Sequence, residues 1–333
     1  HGDGKHHRQD RRKRRYGTYV ILEQEMKRLV RKTHRLKDFI RTDMWELDLE
    51  EFSKAKARFI KYLKVAAITI KTFSSEKIGF QAVALSFFST MSVVPFVAII
   101  FAITDGFGIA ESLKEILYEY FSNSQQTVNL VLGFAQNIID TAKGSTLGLF
   151  SALIFAWIVV WMMMNVEKVF NNVWRVPKSR NIFKRLSVIM AMLIVSPFIV
   201  LVFFGGSFVY SHALSYLGLD VESFSAFKTI LTWTLFGAVA TFTFSAMYKF
   251  IPKHFVKYGV ALRAASISAI AFTAVQFLYL ETQLLVTRLN GVYGTFAAIP
   301  LFMIWLNISW NIILMGAELS YAFQHVDNYN IDD

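Results

Sequence analysis

Hydrophobic and polar positions along this chain fall into long blocks rather than the short alternations of a soluble fold. Six runs contain no Asp, Glu, Lys or Arg: Ile78–Thr104, Gly144–Val166, Leu186–Leu219, Thr229–Tyr248, Ala264–Leu280 and Leu289–Ala317. A helix rises about 1.5 Å per residue, so about 20 apolar residues cross a hydrocarbon core about 30 Å thick. Each run can hold one crossing, the fifth being the shortest. The pattern predicts an all-α, polytopic membrane protein with six transmembrane helices, at about 78–104, 144–168, 186–211, 228–250, 261–281 and 294–319.

The flanking segments carry different patterns. Phe59, Tyr62, Leu63, Ala66, Ile70 and Phe73 recur at helical spacing among Lys54, Lys56, Lys61, Lys64 and Lys71. That predicts an amphipathic helix within 51–77, either lying on an anionic membrane surface or packed beneath the membrane domain. Residues 1–50 are hydrophilic and charged in both signs, which reads as a partly disordered tail, and 324–333 form a second short tail. Between the first two runs, residues 105–143 space Glu111, Glu115 and Glu119 four apart and interleave Leu113, Ile116, Leu117, Leu130, Phe134 and Ile138. Two amphipathic helices folding back over the outer mouth are expected there.

Composition supports this organisation: 54% of residues are hydrophobic, 32 of the 333 are Phe, and the mean hydropathy is +0.41. A net charge of +11 suggests nucleic acid until it is located. Residues 1–77 account for +10 of it, and RRKRR at Arg11–Arg15 has no interleaved aromatics, so no nucleic-acid partner is expected. No apolar segment follows that basic run, so no secretory signal is expected there. Positive loops stay in the cytoplasm. With the N-terminus inside, the inner segments hold 31 Lys and Arg and the outer ones 4, and without the first 77 residues the split is still 10 to 4. Both termini are therefore expected to be cytoplasmic.

The absence of cysteine excludes disulfides and thiolate chemistry. The seven His are scattered, with no pair at metal-ligand spacing outside the tail, and no phosphate loop, nucleophile elbow or intramembrane carboxylate pair is present. No metal, cofactor or catalytic residue is expected. Polar groups within the spans remain. Asn307, Asn311 and Glu318 share a face of the last run, and a polar stripe on a membrane helix has to look toward protein or water. Where the second run ends, Asn165, Lys168 and Asn172 share one face while Glu167, Asn171 and Trp174 share another. This helix end reads equally as an interfacial anchor or as a vestibule binding an anionic headgroup. Gly144 and Gly148 form a small-xxx-small pair that can allow close helix packing.

Four blocks carry a resemblance: SVVP at Ser92–Pro95, NNVWRV at Asn171–Val176 followed by Arg180, YKFIP at Tyr248–Pro252, and YGTFAAIPLFMIWLNISWNIILMGAELS at Tyr293–Ser320. In their order and spacing the chain resembles, from about Lys54 to Phe323, the YihY/BrkB family of bacterial inner-membrane proteins, once described as ribonuclease BN. The resemblance implies six spans, cytoplasmic termini and a transporter or flippase more than an enzyme. The ribonuclease label fits badly, because metal-dependent RNA cleavage needs clustered His and Asp. The basic N-terminal extension and the Phe-rich first span depart from the family pattern. The expectation is a multi-pass inner-membrane protein that moves an anionic lipid or lipid-linked envelope precursor through a polar cavity. Gln81, Ser89, Asn165, Asn172, Gln276, Asn307, Asn311 and Glu318 would line it, and Arg175, Arg180, Lys184 and Arg185 would attract the headgroup. Glu318 is the candidate for proton coupling, against the plainer reading of a solvated, paired carboxylate at the helix end. The competing expectation is a scaffold that recruits cytoplasmic partners through its basic tail; a membrane-bound ribonuclease is a third.

Overall fold

The computed structural model describes residues 44–46, 52–75, 77–120, 125–144, 146–176, 181, 183–195, 198–199, 225–288, 294–327 and 329. The expected tail other than 44–46, the remainder of the expected third span, Arg180 and the start of the sixth run lie outside the described residues. The chain divides into two compact units, residues 1–68 with 326–333, and residues 69–325.

In the first unit, Trp45 stands 5.6 Å from the Tyr329 ring, Lys64 lies over Trp45, and Lys61 Nζ is 2.8 Å from the Asp327 carboxylate. Helix α1, Lys54–Ser75, is present as the periodicity predicts and runs from this unit into the next. On its apolar face Phe59 is 64% and Ile70 68% exposed.

The second unit is a helical bundle. In order it contains α2, Ile78–Gly106; α3, Ala110–Tyr120; α4, Gln125–Gly144; α5, Thr146–Val173; α6, residues 183–195; α7, Ser225–Phe250; α8, Tyr258–Arg288; and α9, Gly294–His325. Among the described residues, five stretches are long and apolar enough to cross a membrane: Ile78–Gly106, Thr146–Val173, Thr229–Phe250, Tyr258–Thr282 and Pro300–His325. They fall on five of the six expected spans. The expected third span is described in its first part, where α6 packs Ile189 and Leu193 against Val159 of α5.

The expected pair of helices in 105–143 is present as α3 and α4. Gly108, at φ 72°, ends α2: its N–H bonds the Asp105 carbonyl while the Ile109 N–H bonds the Thr104 carbonyl, which returns the chain onto α2. Leu113 then packs on Ile100 and Phe101, and α4 runs alongside α2 and α5. The close turn between α4 and α5 depends on Gly148, where a Cβ would run into the Thr141 backbone, whereas Gly144 has open space. The last helix sits in the middle: α9 contacts α2 and α8 extensively, and α5 and α7 as well.

Candidate functional site

Two polar regions lie along α9. The first is a seam with α2 and α5. Trp310 donates its indole N–H to Ser89 Oγ of α2 at 2.9 Å, and Asn172 of α5 donates to Gln81 Oε1 of α2 at 3.4 Å. Asn311 turns its amide onto its own helix, donating to the Asn307 carbonyl at 2.8 Å and reaching the Asn307 Oδ1 at 3.3 Å. The start of α2 faces it, since a Cβ at Gly79 would lie 3.8 Å from Asn311 Oδ1. Five of the eight residues expected to line a cavity thus meet between α2, α5 and α9, where they bond to each other and to Trp310. Asn165 instead donates to the Trp161 carbonyl of its own helix, and Gln276 of α8 buries its Oε1 away from the seam residues' bonds.

The second region is the end of α9 toward His325, the expected inner end by the charge count, where the sequence blocks of the resemblance come together. Tyr248, fully buried on α7, and Ser268 of α8 both press on Gly316 of α9, and a Cβ there would run into Ser268 Oγ and Tyr248 Oη. Two residues further on, Glu318 is 0% exposed. A solvated carboxylate at the helix end is therefore overturned: α9 continues to His325, so Glu318 lies two turns inside it, and neighbouring helices enclose it.

Asn171 of α5, 4% exposed, accepts the backbone N–H of Lys253 at 2.7 Å, tying NNVWRV to the bend after YKFIP. Trp174 stacks on His254 at 5.1 Å and meets the edges of Tyr321 and His325, so two of the scattered histidines come within 6.2 Å of each other. Helix α5 closes as the Arg175 N–H bonds the Asn172 carbonyl and the Val176 N–H bonds that of Asn171. Arg175 holds the left-handed position, φ 52°, that glycine usually fills, and its guanidinium lies 5.1 Å over the Tyr321 ring.

The other headgroup candidates separate. Arg185 pairs with Glu167 at 2.6 Å and donates to the Met164 carbonyl at 2.7 Å, both members being largely buried. Lys184 is exposed. The residues that reasoning from sequence passed over are Asn171, Trp174, Tyr248, Ser268 and Gly316. A signal for two of them was on the page: Glu167, Asn171 and Trp174 share the α5 face that the structure buries, while Lys168 and Asn172 lie exposed.

A family model described as "Virulence factor BrkB" matches residues 69–333. The chain is similar to a UPF0761 membrane protein of Paraburkholderia xenovorans, 28% identical over 268 residues, covering 78% of this chain and 59% of that protein. It is 30% identical over 250 residues to one of Chromohalobacter salexigens, covering 72% and 58%. A UPF0761 membrane protein of Haemophilus influenzae is 27% identical over 267 residues, covering 77% of this chain and 93% of its own length. The chain spans about three fifths of the length of the first of these relatives. No solved structure matches. An all-helical bundle whose matched region, 69–333, contains the Asn171, Tyr248 and Gly316 contacts is what the family model covers, and the chain belongs to the BrkB family of membrane proteins.

Proposed function

We propose that this protein resides in the bacterial inner membrane and moves an anionic lipid or a lipid-linked envelope precursor, without catalysing a chemical step. The observation that carries this reading is Glu318. A carboxylate wholly removed from solvent in a membrane-spanning helix is expensive, and such groups mark ion or substrate pathways. Its helix is the one that α2, α5, α7 and α8 all touch, so a change in its charge acts on every one of those contacts. Along the same helix the amides of Asn307 and Asn311 face α2, and Arg175 stands at the inner end with its guanidinium on Tyr321. Arg presents planar donors suited to phosphate. In this mechanism the seam opens between α2 and α9, giving up the Trp310–Ser89 bond and turning the Asn307 and Asn311 amides from each other to a headgroup, and proton uptake by Glu318 biases the open arrangement.

The test is reconstitution in vesicles of phosphatidylethanolamine and phosphatidylglycerol, with a fluorescent phosphatidylglycerol whose transfer between leaflets is followed by chemical quenching. The parent is expected to accelerate transfer over empty vesicles. Glu318→Gln, which keeps shape and removes charge, is expected to slow it about tenfold or more and to abolish its dependence on a pH gradient. Transfer no faster than in empty vesicles, or a Glu318→Gln variant as fast as the parent, overturns the reading.

A further inference from the structure

We propose that the crevice bounded by α2, α4 and α5 binds one acyl chain of a membrane phospholipid. This site is separate from the polar seam, and the proposal stands whether or not the protein moves lipid. The crevice has a volume of about 330 Å³. Its wall on α2 is formed by Met91 and Pro95, which stand roughly 20–25 Å along the helix from Ile78, within the depth of a hydrocarbon core about 30 Å thick. Its side is open: Met91 and Phe134 each expose 56% of their surface, so what meets them in a membrane is lipid.

The lining is graded along its length. Helices α4 and α5 join at residues 144–146, and near that turn Thr141, Asn137 and Ser151 stand in the wall among Ile138, Gly148 and Ala152, the only polar side chains of the lining. Farther from it they are Phe134, Phe155 and, across on α2, Met91, all apolar. The polar end therefore sits toward the helix termini at the membrane surface and the apolar end toward the bilayer interior. A phospholipid has the same gradient in the same direction: carbonyl esters near the surface, hydrocarbon beneath. Exposed Lys143, two residues beyond Thr141, adds a cation at headgroup depth. The floor is shaped by Gly148, whose missing side chain lets α5 approach the Thr141 backbone, so the crevice is a product of packing rather than a random gap between helices.

The experiment uses the full chain in nanodiscs of phosphatidylethanolamine and phosphatidylglycerol, doped with a phosphatidylglycerol carrying a terminal diazirine on one chain. After illumination, lipid adducts are mapped by mass spectrometry. Adducts are expected on Met91 and on 134–155 at about fivefold or more over Phe242 and Ile270, apolar positions on α7 and α8 that are more exposed still. Ala152→Trp, which fills the crevice, is expected to remove that excess, with Ser151→Phe as a second filling variant should the first misfold. Leu153→Trp, on an exposed neighbouring position, is expected to leave it intact. Labelling no greater than at Phe242 and Ile270, excess labelling that survives both filling variants in folded protein, or cross-links between two copies at Phe134 in place of lipid overturns the proposal. Labelling retained in Glu318→Gln separates this result from the transport reading.

Discussion

The inner end and the outer half of the bundle solve the same packing problem differently. At the inner end polar and close-packed contacts interlock: Asn171 holds the backbone at Lys253, Tyr248 and Ser268 close on Gly316, and Glu167 pairs with Arg185. In the outer half, among α2, α3, α4 and α5, the contacts are mostly apolar. A buried polar contact has a narrow range of geometries and a high penalty when broken, whereas an apolar surface in lipid accepts a gap that lipid can fill. The inner end is thus built to hold one arrangement and the outer half to tolerate several.

That contrast can be broken, and the largest effect belongs to the inner ion pair. Glu167→Ala leaves Arg185 buried without its carboxylate and is expected to destabilise the protein by about 3–5 kcal/mol, while the double change Glu167→Leu, Arg185→Leu recovers most of the loss. Unfolding in detergent with increasing dodecyl sulfate measures both, and a single variant as stable as the parent contradicts the buried pair. Next come the two tight glycines. Gly316→Ala and Gly148→Ala each force a methyl group into occupied space, with an expected loss of about 1–3 kcal/mol. They should differ in kind: Gly316→Ala should be eased by a second change, Ser268→Gly, whereas Gly148→Ala meets backbone and should have no such rescue. Ser89→Ala removes the acceptor for Trp310 and is expected to cost about 0.5–1 kcal/mol, visible as a small shift in the same titration and a change in indole fluorescence. The smallest effect has the opposite sign. Arg175→Gly relieves a left-handed backbone and is expected to stabilise by up to about 1 kcal/mol while weakening retention of phosphatidylglycerol on the purified protein.

Much of the fold was legible because the membrane makes a coarse demand. A span needs length and apolarity, and the runs beginning at Ile78, Thr229 and Ala264 declare both. The α3–α4 pair was legible for a similar reason, since amphipathic spacing survives even in a connection between spans. The inner site was harder. The stripe of Asn307, Asn311 and Glu318 was visible as a periodicity, yet periodicity does not say which helix the stripe meets or that Asn311 bonds Asn307 on its own helix. On α5 two faces competed, and Asn165, Lys168 and Asn172 drew notice by polarity while Glu167, Asn171 and Trp174 were the buried set. Only tertiary packing distinguishes them. Gly316 carried no signal at all, because the need for an absent side chain comes entirely from Tyr248 and Ser268, on helices about 50 to 70 residues earlier in the chain.

Gly316 also bears on how the bundle can move. A contact with no room for a methyl group acts as a detent: a one-turn slide of α9 would bring Ile312 or Ser320 to the place where Tyr248 and Ser268 now meet bare backbone. Either side chain would jam there. Translation of α9 along α7 and α8 is thereby blocked, while a tilt about that point is not. By that contact α7, α8 and α9 are expected to move as one body, so that any separation of α9 from its neighbours is expected on its other side, along α2.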